Sequence, residues 1–373
     1  MHLSHISLLN FKNYHELSLD LSPEINCFTG NNGAGKTNLL DAVHYLSFCK
    51  SYFNPFDNQN ILHGEDMFVI QGIFNKDEQE EEVYCAQKKN ERKQFKRNKK
   101  EYNRLSEHIG LLPVVMISPE DIELVQAGGD TRRKFVDSII SQADKDYLND
   151  LIEYNRTLLQ RNATLKSSYG NADQTLMSVW NGQMTASGTR IFEKRKAFTD
   201  KFSEIFGGIY TEISGSGESV SLQYASQLLE GGFEELLTRA LPKDLLVQYS
   251  TAGIHKDDWL FFKDGHPVKR FASQGQQKSF IIALKLAQFY FLKNNAGTAP
   301  ILLLDDMFDK LDEQRINRLA DKICGNDFGQ VLITDTDAGR LQNLFGGKAK
   351  ECIIVPIKEG GLMKAPSAQI QYT

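Results

Sequence analysis

The residues with the most specific chemistry lie between positions 30 and 38. Gly30-Asn31-Asn32-Gly33-Ala34-Gly35-Lys36-Thr37 reads G-x-x-x-x-G-K-[ST], and Asn38 follows it. Glycines at this spacing let the backbone curl until successive N–H groups point inward, a concave anion site at a positive helix end. Lys36 is placed to reach the β- and γ-phosphates of a nucleotide, and the Thr37 hydroxyl to ligate Mg²⁺. A second candidate centre is Asp305-Asp306, two carboxylates that close the apolar run Pro300-Ile301-Leu302-Leu303-Leu304. In a P-loop enzyme the first belongs on Mg²⁺ through water and the second beside the attacking water. A third is Ser273-Gln274-Gly275-Gln276, where a serine N-cap and a glutamine three residues on make a capping box.

Each centre needs an element to aim it. Ile25, Cys27 and Phe28 read as a buried parallel strand before the loop, and Leu39, Leu40, Ala42, Val43 and Leu46 as helix after it. Continuous apolar character over residues 300–304 marks a parallel strand covered on both faces. Its two acids therefore emerge at the strand's C-terminal end, where α/β sheets bind ligands. The helix opened by Ser273 is apolar nearly all round, through Phe280, Ile281, Leu284, Phe289 and Leu292, so it is buried and its start is held rigidly. A hairpin is predicted over residues 2–21, turning at Lys12-Asn13-Tyr14. It leads straight into the P-loop strand, which makes Lys12 and Asn13 candidate nucleotide contacts; a solvated turn is the alternative.

A formal net charge of −5, with 41% apolar and 24% charged residues, describes an ordinary soluble globular chain. Any nucleic-acid surface must then be local. Residues 88–104 stand out: Lys88, Lys89, Arg92, Lys93, Lys96, Arg97, Lys99, Lys100 and Arg104 face only Glu91 and Glu101, a local net charge of +7. Phe95 and Tyr102 are interleaved. This is the footprint expected for contact with a DNA backbone; an exposed charged hairpin is the alternative. The acidic run 77–82 reads as a solvated hairpin tip. Cys27, Cys49, Cys85, Cys324 and Cys352 are scattered without C-x-x-C spacing, which argues against a disulfide framework or zinc site and for a reducing cytosol. No segment is apolar enough to span a membrane, so the expected location is cytoplasmic.

Apolar residues recur at three- and four-residue steps over 130–169 and again over 174–213, with a break at 168–172. That predicts an antiparallel pair of helices. Arg132, Arg133, Arg156 and Arg161 read as solvated, with a DNA face as the competing use. A short helix over 233–240 and a strand over 245–249 are expected next. His255, beside Asp257 and Asp258, has no second His or Cys at ligand spacing and reads as structural. Asp335 and Thr336, past a predicted strand at 330–334, are candidates for a γ-phosphate sensor.

Together these features resemble an ABC-type ATPase, and within that class the RecF family of bacterial recombination-repair proteins. The resemblance rests on FKNY, SPED, RRKFVD, YNRTLLQRN, GIHKDD, SQGQQKS and LLLDDMFDKLD, in order over nearly the whole chain. GIHKDD carries Ile254 and Lys256 where the family usually shows Pro and Arg. The resemblance implies an α/β fold, an ABC-type P-loop ATPase head with an inserted antiparallel helical arm. The implied division is an N-terminal ATPase lobe (1–127), a helical arm (128–215) and a C-terminal ATPase lobe (216–373). Two heads would dimerise around two ATP, with Ser273, Gly275 and Gln276 of one chain capping the γ-phosphate held by the other. Asp306 would be the base of a weak, DNA-stimulated ATPase that works as a switch in recombinational repair and replication restart. The implied partners are double-stranded and gapped DNA, RecR, and RecO and RecA in the same pathway.

Two other classes share parts of the pattern. In the nucleotide-binding subunit of a membrane transporter, Glu usually stands in place of Asp306 and Gly in place of Gln274, and an inserted helical arm has no role. An SMC-type clamp needs a longer insertion than 128–215.

Overall fold

The protein, seen in a computed structural model, is described over residues 1–167, 173–215, 217–308, 311–325, 327–348 and 351–362. The break expected at 168–172 and Lys310 of the LLLDDMFDKLD motif lie outside the described residues. The chain divides into two compact units, residues 1–121, 212–214 and 282–373, and residues 122–211 and 215–281.

In the first unit, alternating burial pairs β1 (His2–Phe11) with β2 (Tyr14–Asp20) antiparallel, and Lys12 turns between them at a φ of 54°. β3 (Ile25–Thr29), buried at every position, runs into the P-loop and α1 (Lys36–Phe48). β4 (Met67–Lys76), β5 (Gln79–Lys88), β6 (Gln94–Arg97) and β7 (Lys100–Glu101) complete a sheet of order β2-β1-β4-β5-β6-β7. The acidic tip is smaller than expected. Only Asp77 and Glu78 turn, both at positive φ, while Glu81 and Glu82 belong to β5. Glu81 is buried there because Arg97 Nε (2.8 Å) and Asn98 Nδ2 (2.7 Å) both donate to it, charge-assisted bonds that compensate burial. β8 (Val114–Ile117) then enters the second sheet.

The second unit holds α2 (Glu123–Gln126), α3 (Gly129–Ala143), α4 (Lys145–Ser167) and α5 (Gln174–Ser214), the last ending in residues counted with the first unit. β9 (Val220–Ala225), α6 (Phe233–Val247), β10 (Asp258–Lys263), β11 (His266–Pro267) and α7 (Val268–Phe271) complete it. The strand expected over 245–249 is the end of α6 instead. Its buried residues Phe233, Leu237 and Asp244 recur at helical spacing, whereas Leu246 is 84% exposed, so burial never rewarded the apolar run LLV as a strand. Asp244 is the anchor: it accepts from Arg161 Nη1 (2.7 Å), Thr251 N–H (2.8 Å) and Thr251 Oγ1 (2.7 Å).

The arm arginines correct the expectation of a solvated or DNA-facing row. Arg161 is fully buried, Arg132 is clamped on Asp258 (2.7 and 2.9 Å), and Arg133 donates to the Asp257 carbonyl. Only Arg156 of the four is exposed. His255 is structural as expected: its ring sits 2.9 Å from the Tyr154 hydroxyl and 3.0 Å from the Ser250 carbonyl. Burial lowers its pKa to about 4.

α8 (Gln274–Ala296) carries the chain back to the first unit, followed by β12 (Ile301–Leu304), α9 (Glu313–Ile323), β13 (Val331–Asp335), α10 (Ala338–Phe345), β14 (Cys352–Lys358) and β15 (Gly361–Leu362). The second sheet has the order β15-β14-β3-β13-β12-β8, parallel from β14 to β8. α1 lies between the two sheets, touching β1, β4 and β5 of one and β8 and β13 of the other. That burial on all sides explains why its apolar residues form no single stripe.

Candidate nucleotide site

The P-loop leaves β3 in the middle of the parallel sheet, between β14 and β13. Three of its glycines have positive φ: Gly30 (150°), Gly33 (79°) and Gly35 (116°). Two are also required by close approach. A Cβ on Gly30 would collide with the Ile357 carbonyl oxygen of β14, and one on Gly35 would lie 2.9 Å from the Asn13 side chain. Lys36 folds back into the loop, its Nζ donating to the carbonyls of Gly30 (2.8 Å) and Asn31 (3.1 Å). Asn31, Asn32 and Gly33 form the exposed rim, while Ala34 is buried. No side chain caps α1, which leaves its positive end for an anion.

The β1–β2 turn braces this loop from outside. Asn13 Nδ2 donates to the Ala34 carbonyl (3.3 Å), Asn38 Nδ2 to Asn13 Oδ1 (2.7 Å), and the Tyr14 hydroxyl to the Gly35 carbonyl (3.0 Å). The β14–β15 turn adds Gly360 N–H to Ala34 O, at 2.9 Å. Lys12 takes another part: its ammonium pairs with Asp41 (2.7 Å) and sits over the Phe53 ring (5.1 Å). A cleft of about 660 Å³ opens beside the loop, lined by Lys12, Asn13, Thr37, Phe53, His63 and Asp305 among others.

Thr37 and Asp305 meet. Thr37 Oγ1 donates to the carboxylate at 2.8 Å (Oδ1) and 3.0 Å (Oδ2), which joins the loop to the end of β12. Burial raises the Asp305 pKa, while the bonds from Thr334 and Thr37 pull it down. Asp306 follows at the left-handed φ of 42°, half-buried, its N–H donating to Thr334 Oγ1 (3.0 Å). Of the sensor candidates, Thr336 is exposed and Asp335 is occupied by Arg340 Nη1 (3.2 Å) and the Asp337 N–H (2.8 Å).

Ser273 and Gln276 form the reciprocal bonds of a capping box: Ser273 N–H to Gln276 Oε1 (2.9 Å) and Gln276 N–H to Ser273 Oγ (3.3 Å). Ser273 is exposed, Gly275 half-buried, and Gln276 also donates to Glu218 (2.8 Å). This segment belongs to the second unit, whereas the P-loop and Asp305 belong to the first.

The basic segment sorts into two groups. Lys93 Nζ is held by Asp57 (2.8 Å), the Cys49 carbonyl (2.6 Å) and the Tyr45 ring, and Arg97 by Glu81. Lys88 pairs with Glu91 (2.6 Å) and Lys89 with Asp66 (3.2 Å), both in solvent. Lys96 lies over the Tyr84 ring. Arg92, Lys99 and Lys100 are exposed and make no ion pair among the described residues.

Tyr14, Thr334 and Gly360 carry no local sequence signal of their place at this site. Gly360-Gly361 signals a turn, but no local pattern tells that it docks on the P-loop, with Gly360 326 positions from Ala34 in sequence.

A P-loop on a central parallel strand, joined through a threonine to a carboxylate on a neighbouring strand, defines a P-loop ATPase head of the ABC and SMC kind. The family model RecF/RecN/SMC N terminal domain matches residues 2–354. The DNA replication and repair protein RecF of Phocaeicola vulgatus is 49% identical over 362 residues, 96% of this chain and 97% of that protein. That of Flavobacterium johnsoniae is 49% identical over 344 residues, 92% of this chain and 96% of that one. A solved structure of the recombination mediator protein RecF with ATP in the RecFOR pathway superposes with a TM-score of 0.87 at 28% identity, covering 96% of each chain. An Smc head bound to the C-winged helix domain of ScpA shares the fold at a TM-score of 0.57 and 15% identity, over 97% of this chain and 96% of that one. The chain belongs to the RecF family.

Proposed function

We propose that this chain is an ATP-dependent DNA-binding switch of DNA replication and repair, acting in the cytoplasm. The observation that carries the reading is the Thr37–Asp305 bridge, which brings the hydroxyl of the phosphate loop and the strand-end carboxylate within 2.8 Å. Both are hard oxygen donors of the kind Mg²⁺ selects, so the site fits that ion. When bound, it neutralises charge on the β- and γ-phosphates. Gly30, Gly33, Gly35 and the start of α1 receive the phosphates, with Lys36 exchanging its loop carbonyls for phosphate oxygens. Asn31, Asn32, Ala34 and Asn38 complete the loop's outer turn. Lys12 and Asn13 serve at the cleft, Asn13 through its hold on the loop. Asp306 orients and deprotonates the attacking water.

In this reading Ser273, Gly275 and Gln276 act in trans: an exposed helix start presents N–H donors to the γ-phosphate of a second chain. ATP thus links two heads into a dimer that binds double-stranded and gapped DNA through the basic hairpin of residues 88–104. Partnership with RecR, and with RecO and RecA in the same pathway, follows from the kinship to recombination mediators. Lobes 1–127 and 216–373 then serve as the ATPase head and 128–215 as the arm. The test is ATP turnover measured with gapped DNA and with lipid vesicles. Stimulation by DNA alone is expected; stimulation by vesicles alone would return the chain to the transporter class. Among the described residues no helix is long and apolar enough to cross a membrane.

A further inference from the structure

Between the two strand-end carboxylates stands one hydroxyl that the proposed mechanism leaves without a task. Thr334 is the fourth residue of β13, fully buried, and its strand pairs β12 in parallel with Leu304 opposite Ile333. The next position along brings Thr334 beside Asp305. Its Oγ1 donates to Asp305 Oδ1 at 2.8 Å and accepts the Asp306 N–H at 3.0 Å. A threonine hydroxyl has one proton, so donation to Asp305 fixes its rotor and turns a lone pair toward Asp306.

We infer that Thr334 is a positioning residue that holds both carboxylates, Asp305 through its side chain and Asp306 through its backbone. The inference rests on the ATPase reading above and deepens it. Asp306 needs such a hold. A non-glycine residue at φ 42° occupies a sparsely populated region that persists only where its surroundings enforce it. Thr334 supplies an acceptor for the N–H of that strained peptide. Asp305 has a second bond, from Thr37, whose oxygen is also called on for Mg²⁺. The Thr334 bond is independent of that exchange, so one carboxylate oxygen keeps its orientation whether or not the nucleotide site is filled. The alternative is a satisfied core hydroxyl whose loss affects only stability.

Thr334→Val keeps the shape and removes the hydroxyl; Thr334→Ser keeps the hydroxyl. Two readouts separate positioning from bulk stability and also from the parent reading. The first is hydrogen exchange of the Asp306 amide without nucleotide, in variants whose melting temperature is recorded. Faster exchange at Asp306 in Thr334→Val, out of proportion to any change at the Leu302 or Leu303 amides and reversed in Thr334→Ser, is expected. The second is single-turnover ATP hydrolysis with gapped DNA at saturating ATP. Displacement of the reacting groups predicts a loss of about 10- to 100-fold in Thr334→Val, with Thr334→Ser within about threefold of wild type. Unchanged exchange at Asp306 in Thr334→Val overturns the inference whatever the turnover. So does equal loss of turnover in both variants. A wild-type chain that hydrolyses no ATP defeats the parent reading, and the exchange data still decide the role of Thr334.

Discussion

Replacing Arg92, Lys99 and Lys100 together with alanine removes three exposed cations that make no ion pair among the described residues. Of the other cations, four have carboxylate partners, Lys96 lies over the Tyr84 ring, and exposed Arg104 is left in place. Lys93 is 10% exposed and sits 2.8 Å from Asp57; Arg97 is bound to Glu81; Lys88 and Lys89 have carboxylate partners. A cation neutralised inside the protein displaces fewer counterions from DNA, so exposed cations without an ion pair, these three among them, should carry most of the salt dependence. Removing one phosphate-binding cation flattens the slope of log affinity against log salt by about 0.9 on duplex DNA, and removing three by about 2.7. Over a fourfold change in salt, that slope difference is about 40-fold in relative affinity. Fluorescence anisotropy of a gapped duplex, titrated at several salt concentrations with ATP present, reads it directly. Lys93→Met should instead lower the melting temperature and leave the slope nearly unchanged. An unchanged slope with wild-type affinity in the triple variant would exclude these cations from the DNA contact and leave the hairpin a solvated surface.

Asp306→Asn should keep ATP and Mg²⁺ binding, lose turnover and accumulate long-lived dimers on DNA, while Asp305→Asn weakens Mg²⁺-dependent binding itself; a wild-type hydrolysis rate in Asp306→Asn removes it as the base. Arg161→Met strands Asp244 in the interior at a cost of about 3–5 kcal/mol, and adding Asp244→Leu should recover much of it. Urea unfolding of both variants checks this, and equal losses would contradict it. His44 and His108 are buried neutral, their pKa values lowered to about 4 by desolvation. Their folded pKa lies below the unfolded 6.5, so the stability they carry is complete above that value and is lost as pH falls from 6.5 toward 4. At pH 5 the loss is about 2 kcal/mol for each; a flat denaturant midpoint between pH 7 and pH 5 would be the contrary result.

The parts of this protein that were legible in its sequence share one property: each is encoded within about a dozen neighbouring residues. The P-loop, the capping box at Ser273 and the buried run before Asp305 combine a glycine pattern, a cap and a continuous apolar stretch, and each forms as expected. Long-range partnership was not legible. Arg161 looked like a solvated helix residue because its partner Asp244 lies 83 positions on, in a helix whose end resembled a strand. Glu81 looked like part of a polar tip because Arg97, which answers it, comes from the following strand. Tyr14 and Gly360 gave no sign of the P-loop they brace, since that docking depends on how two turns meet in space. Charge in the basic hairpin was countable from sequence, but which cations were already paired was not.

In the proposed function ATP joins two of these chains, the start of each chain's α8 closing the other chain's site. Sedimentation velocity of the wild type and of Ser273→Arg, with and without Mg·ATP, tests it most directly when paired with ATP affinity of the dilute monomer. An ATP-dependent dimer is expected for the wild type and a monomer for Ser273→Arg, with the monomer's ATP affinity unchanged by the substitution. A Ser273→Arg chain that still dimerises with ATP, or whose monomer no longer binds it, would rule out closure of one chain's site by the other's Ser273.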